Sequence, residues 1–208
     1  LRSRKKDQAY QAIKRMILSK EITEDHCLSE NSLAQMLDMS RTPVREALLK
    51  LQSEGFITVI PNRGAVINTV SVVEAREIYD MRMAIEEFVV RNLADKLTED
   101  HFRTLDRLIA EQGRACAAGD LDQYLKADSR FHDFFLQLYG NRAILEAILQ
   151  VRQRFHTVGV SVLTTQKDIE TSLDYHKEIV QALKDEDVER AVRTTHDHLK
   201  FGKTNLLK

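Results

Sequence analysis

Along the first 70 positions, apolar residues recur in short helical stripes separated by polar breaks. Tyr10, Ile13, Met16 and Ile17 fall on one side of a helix predicted over residues 7–20. Ser29 can cap a second helix carrying Leu33, Ala34 and Leu37, and a short Met39–Ser40 connection leads to a third. In that third helix Val44, Ala47, Leu48 and Leu51 share a face, Ser40 can cap the start, and Pro43 fits the first turn, where a missing N–H costs little. Gly55 suits the position after its end. Two β-rich runs follow, FITVI and AVIN, joined by Pro61-Asn62-Arg63-Gly64 as a hairpin with a basic tip.

After Asn68 the pattern becomes helical throughout, and residues 74–205 hold no proline. Six helices are predicted, over about 73–97, 99–118, 120–139, 141–158, 168–185 and 187–205, with polar breaks between them. The predicted fold class is therefore mainly α. An N-terminal winged helix-turn-helix of three helices and a hairpin occupies residues 1–70, and an all-α antiparallel helical bundle occupies 71–208.

Composition narrows this little further. The chain of 208 residues is 43% hydrophobic, with two prolines and seven glycines, which fits a largely helical protein with short loops. No apolar run has the length of a membrane span and no signal peptide is visible, so no membrane partner is expected. Cys27 and Cys116 fit no paired spacing, and a reduced, cytoplasmic setting is the simple reading. The net charge of −1 divides unevenly. Residues 1–70 carry 11 basic and 8 acidic side chains, +3, whereas residues 71–208 carry 20 and 24, −4. The basic end is the end with the helix-turn-helix, although the excess is small.

The third helix has the parts a DNA-reading helix needs. Arg41 and Arg45 lie four apart on a face away from the apolar stripe, with Thr42 between them. Taken alone, such arginines more often mark a solvated surface.

In the bundle, four polar residues stand where apolar ones belong. Asp128 and His132 lie one turn apart on the stripe of Leu121, Leu125, Phe131, Phe135 and Leu138. His176 sits among Ile169, Leu173, Ile179, Val180 and Leu183, and His198 lies beside Leu199. Singly, each reads more readily as a satisfied core residue. Together, one carboxylate and three imidazoles from three helices form the ligand set of a divalent metal. His196, two residues from His198, points to nearly the opposite face, and His26, His101 and His156 have no such company. Arg82 falls at a core-facing position between Ile78, Ile85 and Val89. An inward arginine needs a carboxylate, which a neighbouring acid such as Glu86 or a bound organic acid would supply.

The run LSENSLAQMLDMSRTPVREALLKLQSEGFITVIPNRGAVI, residues 28–67, closely resembles the DNA-binding domain of the GntR family of bacterial transcription regulators. The resemblance implies that Arg41 and Arg45 reach guanine edges or nearby phosphates. It also implies that Ser40 and Thr42 bind phosphate, and that Arg63 and Gly64 bring the wing tip to the minor groove. Asn31 departs from the pattern, standing where some members carry a DNA-touching arginine. Residues 74–202 resemble the FCD ligand-binding domain of the FadR subfamily through EIYDMRMAIE, ADSRFHDFFLQLYGN, DYHKEIVQAL and the spacing to His198-Leu199. In the metal-binding branch an Asp and three His hold the ion, and the matching positions are Asp128, His132, His176 and His198. One divalent ion per chain is expected, zinc first and nickel as the alternative. The implied function is a metabolite-responsive repressor, not an enzyme. It would bind a pseudo-palindromic double-stranded operator as a homodimer and leave it when a small organic acid binds metal and Arg82. The rival readings are a metal-dependent hydrolase, a regulator with a purely structural metal, and a fatty-acyl ligand, which the polar core disfavours.

Overall fold

A computed structural model describes residues 2–18, 21–22, 28–60, 64–68 and 70–206. They divide into two compact units, Leu1–Val70 and Ser71–Lys208. No described helix is long and apolar enough to cross a membrane.

The first unit holds α1 (Arg2–Leu18), α2 (Glu30–Met36), α3 (Arg41–Ser53), β1 (Ile57–Ile60) and β2 (Gly64–Ile67). Tyr10, Ile13, Leu33, Val44, Leu48, Leu51, Phe56 and Ile57 form its core. α1 begins five residues before the predicted start, across polar residues that carry no apolar signal. The α2–α3 corner is set by Asp38, whose φ of 51° is left-handed. There Asp38 N–H donates to Gln35 O and Met39 N–H to Ala34 O, closing the helix end. α3 ends the same way at Gly55 (φ 81°), with Gly55 N–H donating to Gln52 O and Phe56 N–H to Leu51 O. β1 and β2 pair antiparallel, Ile57 opposite Ile67 and Ile60 opposite Gly64. Leu28 adds a single bridge to Ala65, its N–H and C=O each bonded at 2.8 Å, so the segment before α2 is tied to the wing. A buried Lys14 lies 2.9 Å from the Tyr10 hydroxyl and 3.3 Å from Glu54, which joins α1 to the end of α3.

The second unit is all helix: α4 (Val72–Leu93) with a 3₁₀ turn at Ala94–Lys96, α5 (Glu99–Ala117), α6 (Leu121–Tyr139), α7 (Arg142–Val162), α8 (Gln166–Lys184) and α9 (Val188–Asn205). Each helix starts on a side-chain cap: Ser71, Thr98, Asp120, Asn141, Thr165 and Asp187 in turn accept a backbone N–H of their own first turn. Three boundaries differ from expectation by more than one residue. α4 ends at Leu93, four residues before the predicted end, and passes into the 3₁₀ turn. α7 runs four residues past the predicted end because no polar break comes before Thr164. α8 begins at Gln166 because Thr165 and Asp168 form a reciprocal capping box.

α4 packs on α9, α9 on α8, α8 on α5 and α5 on α6, around Val89, Leu105, Phe131, Phe135, Ile179, Leu183 and Ala191. The Tyr79 ring of α4 covers Gly202 of α9, and a Cβ added there would sit 2.7 Å from Tyr79 Cε1 and nearer still to Cζ and the hydroxyl. Gly202→Ala should therefore lower stability by about 1–3 kcal/mol through overpacking, despite alanine's better helix propensity. Urea unfolding would show the fall, and a variant as stable as the parent would mean that α4 and α9 do not meet here.

Candidate metal centre and DNA-recognition face

Within the first unit, α3 turns Val44, Ala47, Leu48 and Leu51 inward and leaves Arg41, Thr42 and Arg45 exposed. Ser40 occupies the N-cap position with extended backbone, but its side chain makes no capping bond, contrary to the expected cap. Its hydroxyl stands at a helix start whose first N–H groups have no intrahelical partner, which is an electrostatically favourable place for a phosphate. Arg45 is held by a partner that the sequence reading did not name. Its Nε donates to Glu30 Oε1 at 2.8 Å and its Nη2 to Glu30 Oε2 at 2.7 Å, from the first residue of α2. Gly64 opens β2, and Arg63 lies outside the described residues. Asn31, on α2, is exposed.

Within the second unit, Asp128 and His132 on α6, His176 on α8 and His198 on α9 bring one ligand atom each to within 4.8 Å of one another. His176 Nε2 lies 3.0 Å from His198 Nε2, and His198 Nε2 lies 3.3 Å from His132 Nε2. Asp128 Oδ1 is 3.6 Å from His176 Nε2 and 3.9 Å from His132 Nε2. The three imidazoles are buried, His176 completely.

Neighbouring side chains fix the rings. Glu86 Oε2 is 2.6 Å from His132 Nδ1, and Gln112 Oε1 is 2.6 Å from His176 Nδ1. A carboxylate or amide oxygen only accepts, so the proton of each neutral ring sits on Nδ1 and the Nε2 lone pair faces the centre. Arg82 Nε donates to Glu86 Oε1 at 2.7 Å, so the guanidinium orients the carboxylate that orients His132. Burial alone would raise the Glu86 carboxyl, but Arg82 and then His132 hold it well below the usual carboxylate range. Burial, His198, His132 and Arg82 hold His176 well below the usual imidazole value. Burial, His132 and Arg82 do the same to His198. For His176 and His198 this favours the neutral, ligand-competent form.

The donor set fits a divalent cation. With no cation, the inward lone pairs of His132 and His176 compete for at most one Nε2 proton on His198, beside the Asp128 carboxylate. A cation removes that conflict. At a metal–nitrogen distance of about 2.1 Å, two nitrogens stand about 3.0 Å apart at a right angle and about 3.4 Å apart at a tetrahedral angle. The observed 3.0 and 3.3 Å fall in that interval.

Other sequence candidates lie elsewhere. His196 is partly exposed and bonds Glu87 at 2.9 Å, and His101 completes the capping box of α5. His26 and the side chain of His156 lie outside the described residues. The reading missed Gln112. It lies on the α5 stripe of Leu105, Leu108, Ile109, Ala115 and Cys116, so the polar-on-apolar-stripe signal that found the histidines was present there too.

A winged helix-turn-helix followed by a helical bundle around three buried histidines and a partly buried aspartate defines a DNA-binding regulator with a helical sensor domain. The sequence matches the bacterial regulatory proteins of the gntR family over residues 5–67 and the FCD domain over residues 77–201, and the chain belongs to the GntR family of transcription regulators with an FCD domain. It is 29% identical over 192 residues to the HTH-type transcriptional repressor RspR of Escherichia coli (strain K12), covering 92% of this chain and 84% of that protein. It is 28% identical over 187 residues to the gluconate operon transcriptional repressor of Bacillus subtilis (strain 168), covering 88% and 76%. Its fold is similar to that of E. coli McbR/YncC, with a TM-score of 0.66, 22% identity, and coverage of 98% and 97%. The chain is a DNA-binding transcription regulator and not an enzyme, by its family and relatives.

Acid should destabilise the metal-free protein. The folded values of His176 and His198 lie below the unfolded imidazole value, so the unfolded chain binds more protons as pH drops through about 6.5. Stability is complete above that value and is lost towards the folded values. Between pH 6.5 and 5.5 the chelator-treated protein should lose on the order of 1 kcal/mol per histidine, read by urea unfolding. An equal loss in the His176→Gln/His198→Gln variant would place the titration elsewhere.

Proposed function

We propose that this regulator is a metabolite-responsive repressor. Two chains pair through their helical domains and present two α3 helices to a pseudo-palindromic operator. Arg41 and Arg45 read base edges or bind nearby phosphates, Ser40 and Thr42 bind phosphate, and the wing tip at Arg63 and Gly64 enters the minor groove. RspR and the gluconate operon repressor, both named as repressors, support this sign of regulation. The work is cytoplasmic, where the operator is.

The observation that carries the sensing half is the convergence of three imidazole nitrogens and the Asp128 carboxylate inside the FCD domain. Asp128, His132, His176 and His198 hold one divalent ion, zinc as the first choice and nickel as the second. When bound, that ion supplies a Lewis-acid seat for an anionic oxygen. The ligand that fits such a seat beside a buried guanidinium is a small organic acid. His132 stays correctly turned because Glu86 holds it, and Arg82 holds Glu86 while adding positive potential for the incoming carboxylate. Effector and operator binding are then linked, each weakening the other by the same factor.

A panel of small mono- and dicarboxylates should contain members that weaken operator binding about 5- to 150-fold, measured by fluorescence anisotropy on metal-loaded protein. The same compounds should have no such effect on His176→Ala. An unchanged operator affinity with a carboxylate shown to be bound by calorimetry would refute the coupling.

A further inference from the structure

The Glu30–Arg45 pair is poorly explained as a stabilising contact. Its side chains are 31% and 64% exposed, and exposed ion pairs contribute little because solvent screens them and two long side chains must be ordered. Yet the contact is a full fork, with both carboxylate oxygens used and both distances under 2.9 Å. Such geometry fixes the plane of the guanidinium and aims it.

Where it aims follows from which atoms are used. Glu30 takes the Nε edge, engaging Nε and one hydrogen of Nη2. Arginine has five N–H donors in a rigid plane, so three remain, one on Nη2 and two on Nη1. The Nη1–Nη2 edge offers two parallel N–H groups, the fork that fits the O6 and N7 acceptors of guanine in the major groove. An unheld arginine would search many rotamers and would meet a phosphate as readily as a base. An arginine held from behind presents one fork in one direction, and ordering it on binding costs less.

We propose that Glu30 is a positioning residue for base recognition: it clamps the Nε edge of Arg45 so that the opposite edge reads one guanine in each half-site. This rests on the reading of α3 as the DNA-contacting helix and deepens it by assigning Arg45 to a base rather than to a phosphate. It also assigns a cost. Glu30 sets a negative charge near the phosphates, so it lowers affinity for all DNA while raising preference for the right sequence.

The test uses the full-length protein and an operator obtained by selection from random duplex DNA. Affinities are measured at one salt concentration for the operator, for operators with each G·C pair replaced in turn, and for unrelated DNA. Arg45→Ala should lose discrimination at one G·C pair per half-site. Glu30→Gln, nearly isosteric and neutral, should lose about tenfold at that same pair and at no other, while its binding to unrelated DNA is equal to or tighter than wild type. In the Arg45→Ala background, Glu30→Gln should change discrimination nowhere. Unchanged discrimination in Glu30→Gln, with Arg45→Ala still impaired, would overturn the positioning role. Tighter binding with undiminished discrimination would show instead that Glu30 competes with DNA for Arg45. Discrimination intact in Arg45→Ala would overturn base reading by Arg45, and the positioning role with it. A uniform loss on all DNA accompanied by a lowered melting temperature would reduce the pair to a structural tie between α2 and α3.

Discussion

Three imidazole Nε2 atoms and a carboxylate face one another at the centre of the helical domain, and His132 and His176 turn lone pairs inward. Placing such groups together in a core costs several kcal/mol unless something positive lies between them. The bundle is built around this constraint. α6 supplies two of the groups one turn apart, α8 and α9 one each, and α4 and α5 send Glu86 and Gln112 to hold the rings from behind. Arg82 is part of the same arrangement. It sits two bonds of a hydrogen-bonded chain away from the centre and keeps Glu86 ionised where burial would protonate it.

Both units use the same device. In each, a side chain proposed to meet a ligand is oriented by a carboxylate on a neighbouring helix: His132 by Glu86 from α4, and Arg45 by Glu30 from α2. The setting decides what each pair does. Glu86 is buried and bonded on both sides, by Arg82 and by His132, so the link is part of the fold. Glu30 and Arg45 are exposed, contribute little to stability, and cost little to break and re-form. An exposed but directed arginine suits a surface that must select one partner from many competing sequences.

Much of this was legible in the residues because each feature breaks a period. Asp128, His132, His176 and His198 stood out as polar residues on apolar helical stripes, and the structure brings them together. Arg82 stood out in the same way, and of the two partners left open for it, Glu86 is the one in contact. Gln112 obeyed the same rule and was overlooked, because a glutamine on a helix is so often solvated. Glu30 broke no period. It lies at an ordinary first-turn position where acids favour any helix start, and only the packing of α2 on α3 shows what it meets. The Leu28–Ala65 bridge was unreadable for a related reason, since a single paired residue has no alternation to detect. The start of α8 was misplaced because a capping box sets it, Thr165 with Asp168, ahead of the first apolar residue of the stripe.

The proposed sensing requires the centre to be a cation site rather than a polar core. The direct measurement is bound metal per chain, by elemental analysis of protein purified without a nickel column. Near one divalent ion per chain, falling towards zero in His176→Ala, is the predicted result. No bound metal, even after incubation with zinc or nickel, would contradict it and leave the buried imidazoles as a hydrogen-bonded core with no part in sensing.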